Sequence, residues 1–407
     1  MAPKHVAVIA TFDTKAPEVA FMTSLIEKQR HVPVCIDVGP LTKSSLRIDF
    51  SNRKIAQLAG WKLPELIASG RRDQIMTAMG AGASKALLKL LKKNRLDGVI
   101  GIGGNQGTAM AAMAMRILPI GFPKFLVSTV ASGNLRPYTG HKDIGVMFSV
   151  ADLVGGPNPV SRSVLTNAVS ALLGMVENGS RISLKRDEKT IAITALGNTE
   201  PSAQHITALL RHKGYQVITF HASGAGGSAM EELVEAGVFK GLVDLTPHEL
   251  TEEVVGAGAY VPVKAGRMTA AGNAGIAQVV STGALEYLCF GPKESIPQRL
   301  RRRKTYFHNP YNANVKASRK EMEEVGRVMA QRLNGARGPL ELLIPMRGWS
   351  IYGSKGGALY DPQGNNRLLK ALKADLNPDI PIKEIDVHIN DSKFADMCVE
   401  RILNLIN

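Results

Sequence analysis

Residues 97–116 read DGVIGIGGNQGTAMAAMAMR. Asp97–Ile102 is an apolar run without polar alternation, the pattern of a strand covered on both faces. A glycine-rich turn follows, Gly101-Ile102-Gly103-Gly104-Asn105-Gln106-Gly107-Thr108, and then a helical apolar run, Ala109–Arg116. Strand, glycine turn and helix in that order make half of a βαβ unit, and the rest of the chain repeats it.

Upstream, His5–Ala10 reads as a strand, Ala16–Gln29 as a helix with Pro17 in its first turn, and Val32–Val38 as a second strand. Helices are expected around Lys54–Ala59 and Ser84–Lys93, a strand over Lys124–Thr129, and a long helix over Ser161–Val176. The charged stretch Leu184–Lys189 interrupts the pattern. It restarts with strand Thr190–Leu196, helix Ala203–Lys213 closed by Gly214, strand Tyr215–Phe220, helix Ala229–Ala236 and strand Gly241–Leu245. A capping box, Ser318-x-x-Glu321, opens a later helix. Strand Glu341–Pro345, a helix near Arg367–Leu376, strand Lys383–Ile389 and helix Lys393–Leu405 complete the chain. The reading is α/β: two Rossmann-like, doubly wound parallel-sheet domains, 1–187 and 188–407, with a cleft between them.

Composition excludes several classes. In 407 residues, 44% are hydrophobic and 21% charged, which argues against a disordered, collagenous or coiled-coil chain. Cys35, Cys289 and Cys398 are too scattered for a disulfide framework or a CxxC motif, which suits a reducing cytoplasm. There is no GxSxG elbow, no HExxH and no zinc-type Cys/His spacing. The apolar stretch Ala109–Phe122 is interrupted by Arg116 and is too short to span a bilayer. Net charge is +15, and residues 1–185, with 23 basic against 11 acidic side chains, carry +12 of it. A basic first half suggests an anionic partner.

In open α/β sheets ligands bind beyond the carboxyl ends of the strands. After the first strand stand Thr11, Phe12, Asp13, Thr14 and Lys15: a set suited to phosphate and Mg²⁺, with Lys15 as the cation and Asp13 as the metal ligand. After the third strand, Gly103, Gly104, Asn105, Gly107 and Thr108 let a phosphate approach the backbone at a helix start. Ser128–Asn134, with Ser132 and Gly133, can line the same pocket. In the second half His221 precedes Gly224, Gly226 and Gly227; Gly224, Gly226 and Ala229 fit G-x-G-x-x-A, with Asp244 about twenty residues on. That loop is read as an anion-binding turn for a second substrate, with nicotinamide or sugar-nucleotide binding as the alternative. His388, Asp391 and Arg347 are the candidate acid, base and cation of a catalytic site. The run Arg299–Lys304 followed by Tyr306 and Phe307 is read as a solvated basic face or a subunit contact in preference to a nucleic-acid grip.

Seven segments together resemble the tomato mosaic virus resistance protein-like ATP-binding family: ATFDTK at 10–15, GIGGNQGT at 101–108, STVASGN at 128–134, DIGVMFSVADLVG at 143–155, FHASGAGGSAMEEL at 220–233, FHNP at 307–310 and DVHINDSKFAD at 386–396. The resemblance covers essentially the whole chain. It implies two Rossmann-like domains, binding of ATP with Mg²⁺, and a homodimer or higher homo-oligomer. It also implies a TIM-barrel phosphoenolpyruvate hydrolase-like partner, since such a barrel is fused to this region in the plant protein. Family members often carry Ser-Gly where this chain has Asn105-Gln106. The expected function is that of an ATP-linked enzyme acting on a small carboxylated or phosphorylated metabolite; the alternative is an ATP-regulated interaction module without catalysis.

Overall fold

A computed structural model describes residues 2–41, 46–180, 182 and 189–407. Most of the expected charged linker, 184–188, lies outside the described residues. The chain divides into two compact units, Met1–Ser183 and Leu184–Asn407.

The first unit has five parallel strands: β1 (His5–Ala10), β2 (Val32–Asp37), β3 (Gly98–Gly103), β4 (Lys124–Ser128) and β5 (Gly145–Phe148), in the order β2-β1-β3-β4-β5. Their helices are α1 (Phe12–Lys28), α2 (Asn52–Leu58), α3 (Leu63–Ala68), α4 (Arg72–Lys92), α5 (Asn105–Arg116), α6 (Arg136–Thr139) and α7 (Pro159–Asn178). Successive residues of β1 point to opposite faces. Ala7 and Ile9 join a core with Ile55, Met79, Leu87 and Met110, while Val6, Val8 and Ala10 join another with Met22, Leu165 and Leu172. Two covered faces leave no position for a polar residue, which is why the strand reads as unbroken apolar sequence.

The second unit has six parallel strands in the order β14-β13-β9-β8-β6-β7: β6 (Thr190–Ala195), β7 (Gln216–His221), β8 (Gly241–Asp244), β9 (Ala277–Val280), β13 (Leu340–Pro345) and β14 (Ile382–Ile385). Helices α8 (Glu200–His212), α9 (Ala225–Glu235), α10 (Glu249–Val255), α11 (Ala270–Ala274), α12 (Arg319–Asn334), α13 (Pro362–Asp375) and α14 (Ser392–Ile406) pack around it. Between β9 and α12 the chain inserts an antiparallel sheet of β10 (Tyr287–Phe290), β12 (Asn312–Lys316) and β11 (Thr305–Asn309), which the sequence reading did not foresee. The two parallel, helix-covered sheets are the expected α/β class. Arg303, from the basic run, is forked onto Glu321 at 2.6 and 3.0 Å, so part of that run serves internal pairing.

Two glycines of the deciding stretch are needed for close packing. A Cβ on Gly101 would stand 2.6 Å from the Cβ of Ala111 and 3.0 Å from Cε of Met115, and one on Gly103 would stand 2.7 Å from the backbone of Gly107 and Thr108. Gly101→Val is therefore expected to destabilise the first unit by about 2 kcal/mol through overpacking against α5, read as a lower urea midpoint with unchanged m-value.

Candidate functional site

In the first unit the chain leaves β1 toward β2 on one side and leaves β3 toward β4 on the other. The carboxyl ends of β1 and β3 therefore form the switch point where such sheets bind ligands. The connections are minimal. Thr11 alone separates β1 from α1, so Phe12–Lys15, expected as a turn, are the first helical turn. Gly104 alone separates β3 from α5. Neither N-cap residue, Thr11 or Gly104, caps its helix with a side chain. The two loops meet: a Cβ on Gly107 would lie 3.9 Å from Cγ2 of Thr11. Around Gly104 there is space, with Oγ1 of Thr129 at 3.7 Å the nearest atom.

Two carboxylates flank this point across Gly39. Asp37 is buried, and its Oδ1 accepts the amides of Phe12 (3.1 Å) and Gly39 (2.8 Å). Burial pushes its carboxyl up to about 6, against those two hydrogen bonds, and the neighbouring charge of Asp13 adds to the rise. Oδ2 of Asp13 accepts the amide of Leu41 (3.2 Å), while its buried Oδ1 has no partner among the described residues. Lys15 is only 9% exposed, and no hydrogen bond or ion pair is found for its ammonium among the described residues. One turn on, Glu18 is fully buried; its Oε1 accepts the amide of Gly156 (3.2 Å).

Several expected phosphate contacts have other work. The Thr108 hydroxyl is buried between Oγ of Ser128 (2.7 Å) and the Gly103 carbonyl (3.2 Å), tying α5 to β4. Oδ1 of Asn105 accepts the Tyr138 hydroxyl (3.1 Å). Thr14 pairs with Thr11 through their hydroxyls (2.9 Å). Ser132 and Gly133 lie in an exposed turn.

The second glycine loop departs most from the sequence reading. Oε1 of Glu249 accepts the amides of Gly224 (2.6 Å) and Gly227 (3.0 Å), so the anion on this turn is the protein's own. A Cβ on Gly227 would overlap that carboxylate, and one on Gly226 would overlap the His221 carbonyl. Glu249 is held in turn by the fully buried Arg267, whose Nε donates to Oε2 at 2.6 Å. The guanidinium also forks onto Asp244 (2.7 and 2.7 Å) and reaches Glu231 (3.2 Å). These three carboxylates outweigh the desolvation cost and hold Arg267 well above its ordinary basicity. Burial raises the Glu231 carboxyl, opposed by Arg267 and by the amides of Ala270 and Met268.

The strand-end residues read as catalytic are also engaged. Nδ1 of His388 accepts the amide of Asn390 (3.1 Å), which puts the ring proton on Nε2, facing the Ser350 carbonyl (3.2 Å). Asp391 is the N-cap of α14, accepting the Lys393 amide (2.9 Å). Arg347 is exposed and forked onto Asp386 (3.0 and 2.7 Å). His221 is exposed, its ring 6.2 Å from that of Tyr260.

The sequence reading missed the residues that meet beneath them. Asn198, after β6, donates through Nδ2 to the Tyr287 hydroxyl, and Asn390 donates to the Asn198 carbonyl (2.8 Å). Glu286 is fully buried, accepts the Ser350 hydroxyl, and is pushed upward by burial. Oδ1 of Asn198, Oδ1 of Asn390, Oε2 of Glu286 and Oγ1 of Thr282 are buried without partners among the described residues. Buried polar atoms left open in this way call for a polar ligand or water. The only sequence signal was position: Gly197-Asn198-Thr199 follows the expected strand.

Comparison with known proteins fits both halves. The N-terminal and C-terminal domain models of the uncharacterised protein family UPF0261 match residues 4–181 and 188–406. The chain belongs to that family. A UPF0261 protein of Clostridium tetani is 36% identical over 99% of both chains, and one of Rhizobium meliloti is 33% identical over 99% of this chain and all of that one. The ToMV resistance protein Tm-1(GCR237) of Solanum lycopersicum is 36% identical over 79% of this UPF0261 chain and 44% of its own length. No helix among the described residues is long and apolar enough to cross a membrane.

Two outcomes follow from these charges. Asp37 binds its proton more tightly folded than unfolded, so its stabilisation is full below about pH 4 and is lost as pH rises through about 6. Asp37→Asn keeps an oxygen for both amides and should remove that loss, about 3 kcal/mol in all, visible as a wild-type-minus-variant difference in urea midpoints that changes between pH 4 and 7. Arg267→Met strands three buried carboxylates and should cost the second unit about 4 kcal/mol; a loss under ~1 kcal/mol would show that the network is not holding the glycine loop.

Proposed function

We propose that the first unit binds the phosphates of ATP with Mg²⁺ at the β1/β3 switch point, and that this UPF0261 protein is an ATP-linked enzyme on a small anionic metabolite. The observation that carries the reading is Lys15: an ammonium on a largely buried side chain, without a partner among the described residues, in the first turn of α1. Its covered stem holds a charged head that still reaches solvent, where an anion can meet it. The Thr11–Gly107 contact brings the start of α5, which has no side-chain cap, to the same place, where amides and dipoles favour an anion. The open carboxylate oxygen of Asp13 suits a Mg²⁺ ion, which prefers oxygen ligands. Bound ATP would supply a transferable phosphoryl or nucleotidyl group.

Within this reading Lys15 neutralises phosphate charge, Gly104 admits it to the backbone, and Asp13 with Asp37 faces the cation. In the second unit Asn198, Glu286 and Asn390 offer hydrogen-bonding groups for the metabolite. The nicotinamide alternative loses its support, because Glu249 already holds the amides that a pyrophosphate would need. Self-association and a TIM-barrel partner rest on the family resemblance.

Calorimetric titration with ATP, with and without Mg²⁺, tests the reading. About one ATP per chain is expected. Lys15→Ala should weaken binding roughly 100-fold, the scale of a charge-assisted phosphate contact. Gly104 has φ −76° and ψ −162°, which any residue adopts, so Gly104→Val should keep the fold and lose ATP. Unaltered binding in both variants would refute the site; no binding by folded wild type would refute the ligand.

A further inference from the structure

His248 is the N-cap residue of α10 and Glu252 lies four residues on, so both project from one side of the helix. Cys289 comes from β10. A ring nitrogen of His248, a carboxylate oxygen of Glu252 and Sγ of Cys289 all lie within 4.8 Å of one another, and all three residues are buried. His248 and Glu252 are each held by further contacts, and the Cys289 thiol donates to Oδ1 of Asn314 at 3.4 Å. Nδ1 of His248 meets the Ala284 carbonyl at 2.6 Å, leaving Nε2 toward Glu252 at 3.1 Å. Ala284 holds that carbonyl from a left-handed backbone, φ +55°, which costs an alanine about 1 kcal/mol. Glu252 accepts the amides of Cys289 and Tyr260, each at 2.5 Å.

A Cys-His-Glu nucleophilic triad does not fit. A triad needs thiol and carboxylate on opposite ring nitrogens, and here Ala284 holds Nδ1, so both share the other side. We propose that His248, Glu252 and Cys289 form a binding site for a divalent transition-metal ion of the zinc class. One nitrogen, one oxygen and one sulfur donor suit such an ion; Mg²⁺ and Ca²⁺ prefer all-oxygen sets. A carboxylate and a thiolate neutralise its two charges, which a buried site requires. The carbonyl on Nδ1 fixes the tautomer that presents Nε2, as in established histidine–metal sites. Three protein ligands leave one of four positions for water or substrate. The rings of Tyr260 and Tyr287 flank His248, 5.9 and 4.8 Å away.

A metal ion takes its thiolate and imidazole ligands deprotonated, so binding at this site releases protons.

The test uses the full chain, stripped with chelator and free of nucleotide, so its outcome is independent of the ATP reading. Titration with Co²⁺ should give one ion per chain, a thiolate-to-metal charge-transfer band and the visible bands of a four-coordinate site, all displaced by Zn²⁺. Cys289→Ser should abolish the charge-transfer band, and Glu252→Gln should weaken Zn²⁺ binding at least about 100-fold. Cys398→Ser should change nothing. If Glu252→Gln does not fold, Cys289→Ser decides alone. A folded wild type without the band, or a band that survives in Cys289→Ser, overturns the proposal.

Discussion

Parallel strands joined by right-handed crossovers deliver helix N-termini to the carboxyl ends of a sheet, and those N-termini carry amides that need acceptors. The second unit fills one of them from within. Glu249 reaches the Gly224 and Gly227 amides, Arg267 holds Glu249, and Asp244 at the end of β8 and Glu231 on α9 hold Arg267. One guanidinium thereby links a central strand, two helices and a glycine loop. In the first unit the Asp37 carboxylate takes the first amide of α1, while no such internal anion is found on α5 among the described residues. Similar sequence, glycine after a strand, therefore ends in a closed junction in one half and an open one in the other.

That contrast explains what could and could not be read in advance. The fold was legible because buried parallel strands exclude polar residues, so TIAITA and VIGIG announce themselves. The insertion β10–β12–β11 was not: its strands are four or five residues long, and β11 is largely exposed, so no long apolar run marks it. Thr11, Lys15, Gly104 and Gly107 could be singled out because chain order places them beside strand ends.

Ownership of a hydrogen bond was not legible. Glu249 lies 25 residues beyond Gly224, and nothing local says that its carboxylate returns to the loop. Gly103 looked like a ligand glycine and is a packing glycine, because only the three-dimensional path shows Gly107 and Thr108 beneath it. His388 and Asp391 looked like acid–base groups, and their polar atoms instead serve turn and cap. Cys289 lies 37 residues past Glu252, far outside the short spacings by which metal sites are recognised in sequence.

The one-residue connections at Thr11 and Gly104 have a consequence for molecular recognition. A connection of that length has almost no freedom of its own, since both neighbours belong to regular elements anchored in the core. A guest meeting these helix starts finds them already in place and forfeits little chain entropy on arrival. For the ligand proposed above, selectivity at such a rigid rim would rest on the size and charge of the side chains that edge it, Asn105 and Gln106 among them, and not on how firmly the rim is held.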